Sequence, residues 1–198
     1  DNIWMFMGIY LFSNILWLFG INGSSIVFPI VFALCISNTG INAELVNAGK
    51  EPTALINLQM FRYVLIGGAG NTLGLVLLMC KSKSKHIRSI GRLSVLPGIC
   101  GINEPVVFGL PLVLNPIFAI PFILNSVIAA FIAVVATNIG FLTCGVLDCP
   151  PGLPVFVTGF ISYGIHGIIV QAIILIVTFI IWVPFVLMSN KQAKLEQK

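Results

Sequence analysis

Charged side chains are scarce in this sequence, and their scarcity decides its broad class. Only 8% of the 198 residues are Asp, Glu, Lys or Arg, whereas 58% are hydrophobic and the mean hydropathy is +1.08. A soluble domain carries about 25% charged residues, because its folded surface must face water. Residues 2–43, 106–147 and 149–190 contain no charged side chain. This pattern excludes an ordinary water-soluble domain and predicts an integral membrane protein, since hydrocarbon removes the need for a charged surface.

Metal-binding motifs are also lacking. The five cysteines include no Cys-x-x-Cys pair, and none lies in a cluster with histidine. The sequence therefore predicts no metal site and no cofactor.

The positive charges lie in two short clusters, although the net charge is only +4. The second cluster is the C-terminal segment 191–198, and the first comprises Lys81, Lys83, Lys85, Arg88 and Arg92. Short basic segments beside apolar spans are typical of cytoplasmic loops. We therefore expect contact with membrane lipid and no nucleic-acid partner. The alternative is a soluble basic patch that binds RNA or lipid headgroups.

Four apolar segments are long enough to cross a bilayer, which takes about 20 helical residues, with a range of about 17–25. They are Ile3–Phe19, Val64–Cys80, Ile117–Leu142 and Ile165–Met188. The first span follows neither an initiator methionine nor a signal peptide, so we expect a fragment that begins inside a longer protein.

Two further apolar stretches are interrupted by proline and glycine. Gly20–Asn38 contains Pro29, and Leu93–Asn115 contains six prolines and glycines between its ends. Broken helices of this kind line the binding sites of transporters, because irregular backbone at membrane depth must be buried in protein or face a cavity. The predicted fold is therefore all-α, with transmembrane helices and two re-entrant helical hairpins. We expect Thr39–Arg62 between them to form a polar connection at the membrane surface.

Glu104 is the first candidate functional residue. An acidic side chain at membrane depth is energetically costly and is functional by default. Pro105 suits the start of a helix, which places Glu104 and Asn103 at the positive end of a helix dipole. Carboxylate and amide groups there suit the vicinal hydroxyls of a polyol. Two alternatives remain, namely that Glu104 only caps its helix and that it relays protons.

The second candidate is Asn22, within Gly20-Ile-Asn-Gly-Ser-Ser. Its amide, the adjacent Gly23 backbone and the Ser24 hydroxyl can bind sugar hydroxyls at a helix break. The alternative is that Asn22 only satisfies backbone groups in a turn, as asparagine often does.

The long motif at residues 96–111, Leu-Pro-Gly-Ile-Cys-Gly-Ile-Asn-Glu-Pro-Val-Val-Phe-Gly-Leu-Pro, is followed by Asn115-Pro116. It resembles the enzyme IIC membrane component of bacterial phosphotransferase-system sugar transporters, of the lactose/cellobiose/diacetylchitobiose type. The resemblance implies a sugar permease in the bacterial cell membrane that binds and moves a disaccharide for phosphorylation by a cytoplasmic enzyme IIB. It also implies that residues 1–190 are the substrate-binding half, that 191–198 is a cytoplasmic tail, and that a missing N-terminal half supplies a homodimer contact.

By the same resemblance, Glu104 and Asn103 contact sugar hydroxyls. One departure is Asn22, because the family usually has histidine at this position of the Gly-Ile-His-Gly motif. Asn22 keeps hydrogen bonding but cannot carry a proton. The rival functions are an ion- or proton-coupled secondary transporter and a truncated, non-transporting remnant.

Overall fold

The computed structural model describes residues 2–110 and 112–195, with side chains up to residue 189. The described residues form helices, turns and loops without any β-strand, which confirms the all-α prediction. In chain order, the α-helices are α1 (Ile3–Leu18), α2 (Gly23–Asn47), α3 (Leu58–Tyr63), α4 (Leu73–Cys80), α5 (Lys85–Ile99), α6 (Glu104–Gly109), α7 (Pro116–Asn138) and α8 (Val157–Leu195).

Three helices in the described part are long and apolar enough to cross a membrane: α2, α7 and α8 over Val157–Ser189. Helix α1 is apolar but shorter. Helix α8 has a kink at Tyr163 and Gly164, where the backbone leaves the helical region, and the part after this kink begins at the predicted Ile165. The predicted spans at α7 and α8 are therefore confirmed, although α8 extends beyond the predicted segment at both ends. The predicted Ile3–Phe19 is confirmed as a helix, but it is shorter than the candidate spans.

The predicted continuous span Val64–Cys80 is wrong. Only its last part forms α4, and a short 3-10 turn at Ala69–Asn71 precedes that helix. Gly67, Gly68 and Gly70 have φ angles between +76° and +82°, which a right-handed helix cannot contain. This glycine-rich stretch is therefore a tight buried turn.

The prediction of a broken hairpin over Gly20–Asn38 is also wrong. The chain turns at Gly20, where φ is +77°, and then continues as one 25-residue helix through Pro29. Proline removes one helical hydrogen bond, but membrane helices tolerate this loss where neighbouring groups satisfy the freed carbonyl. Helix α2 is consequently a candidate span rather than a pair of half-helices.

The second predicted hairpin, Leu93–Asn115, does contain a break. Helix α5 ends at Ile99, Gly101 adopts a φ angle of +79°, and α6 begins at Glu104. The Ile102 amide donates to the Pro97 carbonyl at 2.9 Å, which caps the end of α5. The re-entrant course of this segment remains a prediction, and Pro111 lies outside the described residues.

Two apolar cores hold the helices together. One packs α1 and α3 against α7, with Phe6, Met60 and Ala133 buried at its centre. The other packs α4 and α6 against the end of α8, around Leu75 and Trp182. The glycine-rich turn contributes to both cores, because Ile66 beside it belongs to the first and Ala69 within it belongs to the second. The Trp182 indole N–H donates to the Asn71 carbonyl of this turn at 3.2 Å.

The predicted cytoplasmic tail, 191–198, begins as a continuation of α8 as far as Leu195. Residues 196–198 lie outside the described residues.

Candidate functional site

The buried glycine-rich turn holds the backbone that carries Glu104. Asn103, which is only 3% exposed, donates its side-chain amide to the Ala69 carbonyl at 3.0 Å. A Cβ atom at Gly68 would lie 2.9 Å from both the Asn103 side chain and the Gly101 carbonyl, so glycine allows the two loops to touch. Asn103 therefore anchors the loop, and its side chain makes no capping hydrogen bond to α6.

Glu104 lies in the first turn of α6 and faces the start of α2. Its Oε1 atom accepts a hydrogen bond from the side-chain amide of Asn22 at 3.5 Å, between residues 82 positions apart. In the part of the chain that the structure describes, no lysine or arginine forms an ion pair with Glu104. The carboxylate is partly exposed. It thus retains acceptor capacity for a ligand.

Asn22 caps a helix and also contacts Glu104, while its contact with a sugar stays a prediction. Its side-chain oxygen accepts from the Ser25 amide at 3.0 Å and caps α2, while its amide nitrogen reaches Glu104. Capping fixes the asparagine in one orientation. The Asn22 side chain therefore has a fixed position beside the Glu104 carboxylate.

Gly23 and Ser24 have different surroundings. A Cβ atom at Gly23 would lie 1.9 Å from the Ser13 carbonyl oxygen, so this glycine permits close contact between α1 and α2. The Ser24 hydroxyl accepts from the Trp17 indole N–H at 3.4 Å and lies 3.5 Å from the Ser13 hydroxyl.

These elements surround a cavity of about 910 Å³. Four of the five predicted site residues line it, and Gly23 does not: the lining ones are Glu104, Asn103, Asn22 and Ser24. Its apolar walls include the aromatic residues Trp17, Phe28, Phe61 and Tyr63. Ligand cavities of roughly 300–1,000 Å³ commonly combine apolar walls with a few placed polar groups.

Arg62 and Gln59 also line the cavity, although neither was a predicted site residue. Arg62 was expected in a polar connection at the membrane surface, whereas it belongs to the short buried helix α3. The sequence does contain an indication that Arg62 is functional, because Arg62, like Glu104, is a single charged residue followed by an apolar stretch. The rule that favoured Glu104 would have identified both residues.

His166 lies outside the cavity. It is exposed, and its ring packs edge-on against Phe141 with 4.8 Å between the ring centroids. Among residues 2–110 and 112–189, no group of three histidine, cysteine or acidic side chains could hold a metal ion.

The family model for the phosphotransferase system EIIC component matches residues 1–126, which include Asn22, Arg62 and Glu104. The chain belongs to the enzyme IIC family. This membership and the three apolar spans identify it as an integral protein of the bacterial cell membrane.

Individual relatives agree with this family assignment. The PTS system cellobiose-specific EIIC component of Lactococcus lactis subsp. lactis is 32% identical, over 99% of this chain and 45% of the relative. The PTS system lactose-specific EIICB component of Streptococcus mutans is 35% identical, over 91% of this chain and 33% of the relative. The chain thus spans less than half the length of these enzyme IIC relatives.

A solved structure shares the fold. The crystal structure of the transporter ChbC, the IIC component from the N,N'-diacetylchitobiose-specific phosphotransferase system, superposes with a TM-score of 0.92 at 31% identity. The match covers 99% of this chain and 46% of that transporter. The described arrangement of helices is therefore that of an enzyme IIC protein.

Proposed function

We propose that residues 1–190 form the substrate-binding and transport half of a sugar permease, the IIC component of a phosphoenolpyruvate-dependent phosphotransferase system. Its substrate is a disaccharide of the cellobiose, lactose or diacetylchitobiose class, which enzyme IIB phosphorylates. Residues 191–198 are its cytoplasmic tail. The observation that carries this proposal is the pairing of Glu104 with Asn22 in the wall of a cavity large enough for a disaccharide.

The chemistry of the cavity supports a sugar. A carboxylate offers two oxygens to vicinal hydroxyl groups, and an amide both donates and accepts. The aromatic walls give the apolar C–H faces of a sugar ring a matching surface. The cavity would bind and orient the substrate, because phosphoryl transfer depends mainly on positioning and charge stabilisation. The phosphoryl donor is the partner protein, and this chain presents the hydroxyl group.

Relatives support the partner. The Streptococcus mutans relative is named as an EIICB component, in which the two functions share one protein. We infer that this chain works with a separate cytoplasmic enzyme IIB. We also propose a homodimer through an N-terminal half beyond this sequence, surrounded by membrane lipid.

A vesicle assay tests the function. Vesicles that contain the protein at its natural length are supplied with soluble phosphotransferase proteins, enzyme IIB and radiolabelled cellobiose, lactose or N,N'-diacetylchitobiose. We expect one of these sugars to accumulate as its phosphate, only in the presence of phosphoenolpyruvate.

The rival functions give different results in the same vesicles. An ion- or proton-coupled transporter would accumulate unmodified sugar when an ion or pH gradient is applied without phosphoenolpyruvate. A non-transporting remnant would neither bind nor accumulate any of the three sugars. Either result would contradict the proposal.

A further inference from the structure

The cavity has a second polar end, formed around Arg62. This side chain is 25% exposed, and its Nε atom lies 3.4 Å from a carboxylate oxygen of Asp148. Its Nη1 atom donates to the Cys149 carbonyl at 2.9 Å. The centre of the guanidinium group lies 5.4 Å from the centroid of the Phe28 ring, which also lines the cavity. The guanidinium is thus held in one place by an ion pair, a hydrogen bond and an aromatic face.

Arg62, which lines the cavity, retains hydrogen-bond donors that no described acceptor engages. A guanidinium group carries five N–H donors and no acceptor. The described contacts engage Nε and one hydrogen of Nη1, and within residues 2–110 and 112–189 no acceptor is bonded to Nη2. A charged donor without a partner at a cavity wall is suited to a hydroxyl-bearing ligand.

The two polar ends are separated along α2. Glu104 contacts Asn22, whereas Arg62 lies over Phe28, six residues further along the same helix. At 1.5 Å per residue, this spacing is roughly 9 Å along the helix axis. Aromatic side chains, including Phe28, line the same cavity as the carboxylate and the guanidinium. Two linked sugar rings match this spacing better than a single ring does.

We propose that Arg62 is a second substrate contact, which donates hydrogen bonds to the sugar ring farther from Glu104 and thereby selects disaccharides over monosaccharides. This inference rests on the proposed sugar-binding function of the cavity. Asp148 is a positioning residue, because its carboxylate pairs with the guanidinium and Asp148 does not itself line the cavity.

The loop next to Arg62 is also held in place by another residue. Residues 149–153 form part of the cavity wall next to Arg62. Gln59 holds the loop from both sides, since its oxygen accepts from the Leu147 amide at 3.1 Å and its nitrogen donates to the Ser162 carbonyl at 2.5 Å. Arg62 is therefore not the sole support of the loop, so its replacement tests binding more than folding.

The test compares binding of a disaccharide with binding of its own monosaccharides to the protein at its natural length in detergent. The disaccharide is whichever of cellobiose, lactose and N,N'-diacetylchitobiose binds the wild-type protein most tightly. Titrations follow intrinsic tryptophan fluorescence, to which Trp17 in the cavity wall contributes. The variants are Arg62→Gln, Arg62→Lys and Asp148→Asn, and Arg88→Gln, outside the cavity, is the matched control.

We expect Arg62→Gln to weaken disaccharide binding at least ~10-fold and monosaccharide binding less than ~2-fold, because only the longer ligand spans both ends. Arg62→Lys should restore part of the loss, since lysine keeps the charge without the planar fork. Asp148→Asn should weaken disaccharide binding, but less than Arg62→Gln does, and it should likewise affect the disaccharide more than the monosaccharide. Arg88→Gln should bind both ligands as the wild type does.

Three results would overturn the inference. One is equal weakening of both ligands by Arg62→Gln, which indicates a structural role alone. Another is disaccharide binding that survives both Arg62→Gln and Asp148→Asn unchanged. The third is a wild-type protein that binds the monosaccharide as tightly as the disaccharide. A wild-type protein that binds no sugar would instead refute the proposed function, and the inference with it.

Discussion

Replacing Glu104 by glutamine is the most direct test of the site, because the change keeps the size of the side chain and removes its charge. Among the described residues, the Glu104 carboxylate accepts one hydrogen bond, the long one from Asn22 at 3.5 Å. The fold has little dependence on that bond, so we expect Glu104→Gln to fold normally. What the variant loses is the negative charge offered to the ligand.

The magnitude follows from the number of hydrogen bonds affected. Hydrogen bonds to a charged group contribute roughly 1 kcal/mol more than neutral ones. Two vicinal hydroxyl groups on the two carboxylate oxygens therefore lose about 2 kcal/mol in total, which is a ~30-fold increase in Kd. Glu104→Asp keeps the charge with a shorter reach, and we expect its loss to be smaller.

The assay is equilibrium binding of the preferred disaccharide to the protein at its natural length, with thermal unfolding measured in parallel. Glu44→Gln is the matched control, because Glu44 is exposed near the end of α2 and does not line the cavity. A Kd for Glu104→Gln within about threefold of the wild-type value would refute the reasoning. So would an equal loss in Glu44→Gln.

Two further predictions concern the start of α2. Gly23→Ala should lower stability by about 1–3 kcal/mol, because its Cβ atom would overlap the Ser13 carbonyl. Gly40→Ala, in the same helix but with no atom within 4 Å, should leave the thermal unfolding midpoint unchanged or raise it; similar destabilisation by both would contradict the close contact. Asn22→His should make sugar binding pH-dependent between about pH 6 and 8, because it places a titrating imidazole beside Glu104. Kd values at both pH limits test this, and a Kd as flat with pH as that of the wild type would count against contact between these side chains.

Local sequence features were enough to predict the class and several elements. The lack of charge identified a membrane protein, and the glycines and prolines between Leu93 and Asn115 identified a real break at Gly101. Glu104 was a sound candidate because an acidic side chain in an apolar stretch is costly wherever the chain folds.

Other structural features could not be predicted from the local sequence. Pro29 suggested a broken segment, but α2 continues through it. The glycine-rich turn before α4 resembled a span in composition, although a Cβ atom at Gly70 would meet the Phe122 ring from α7 at 2.3 Å. Whether such a residue breaks or bends a helix depends on what packs against it, and neighbouring helices supply that packing.

The sequence by itself determined that the protein lies in the membrane and that Glu104 is its unusual acid, because charge and hydropathy are properties of each residue. Only the tertiary structure decided that Glu104 meets Asn22 and shares a cavity with Arg62. These residues come from different helices and are up to 82 positions apart. Their meeting depends on how the helices pack, which is a property of the whole chain.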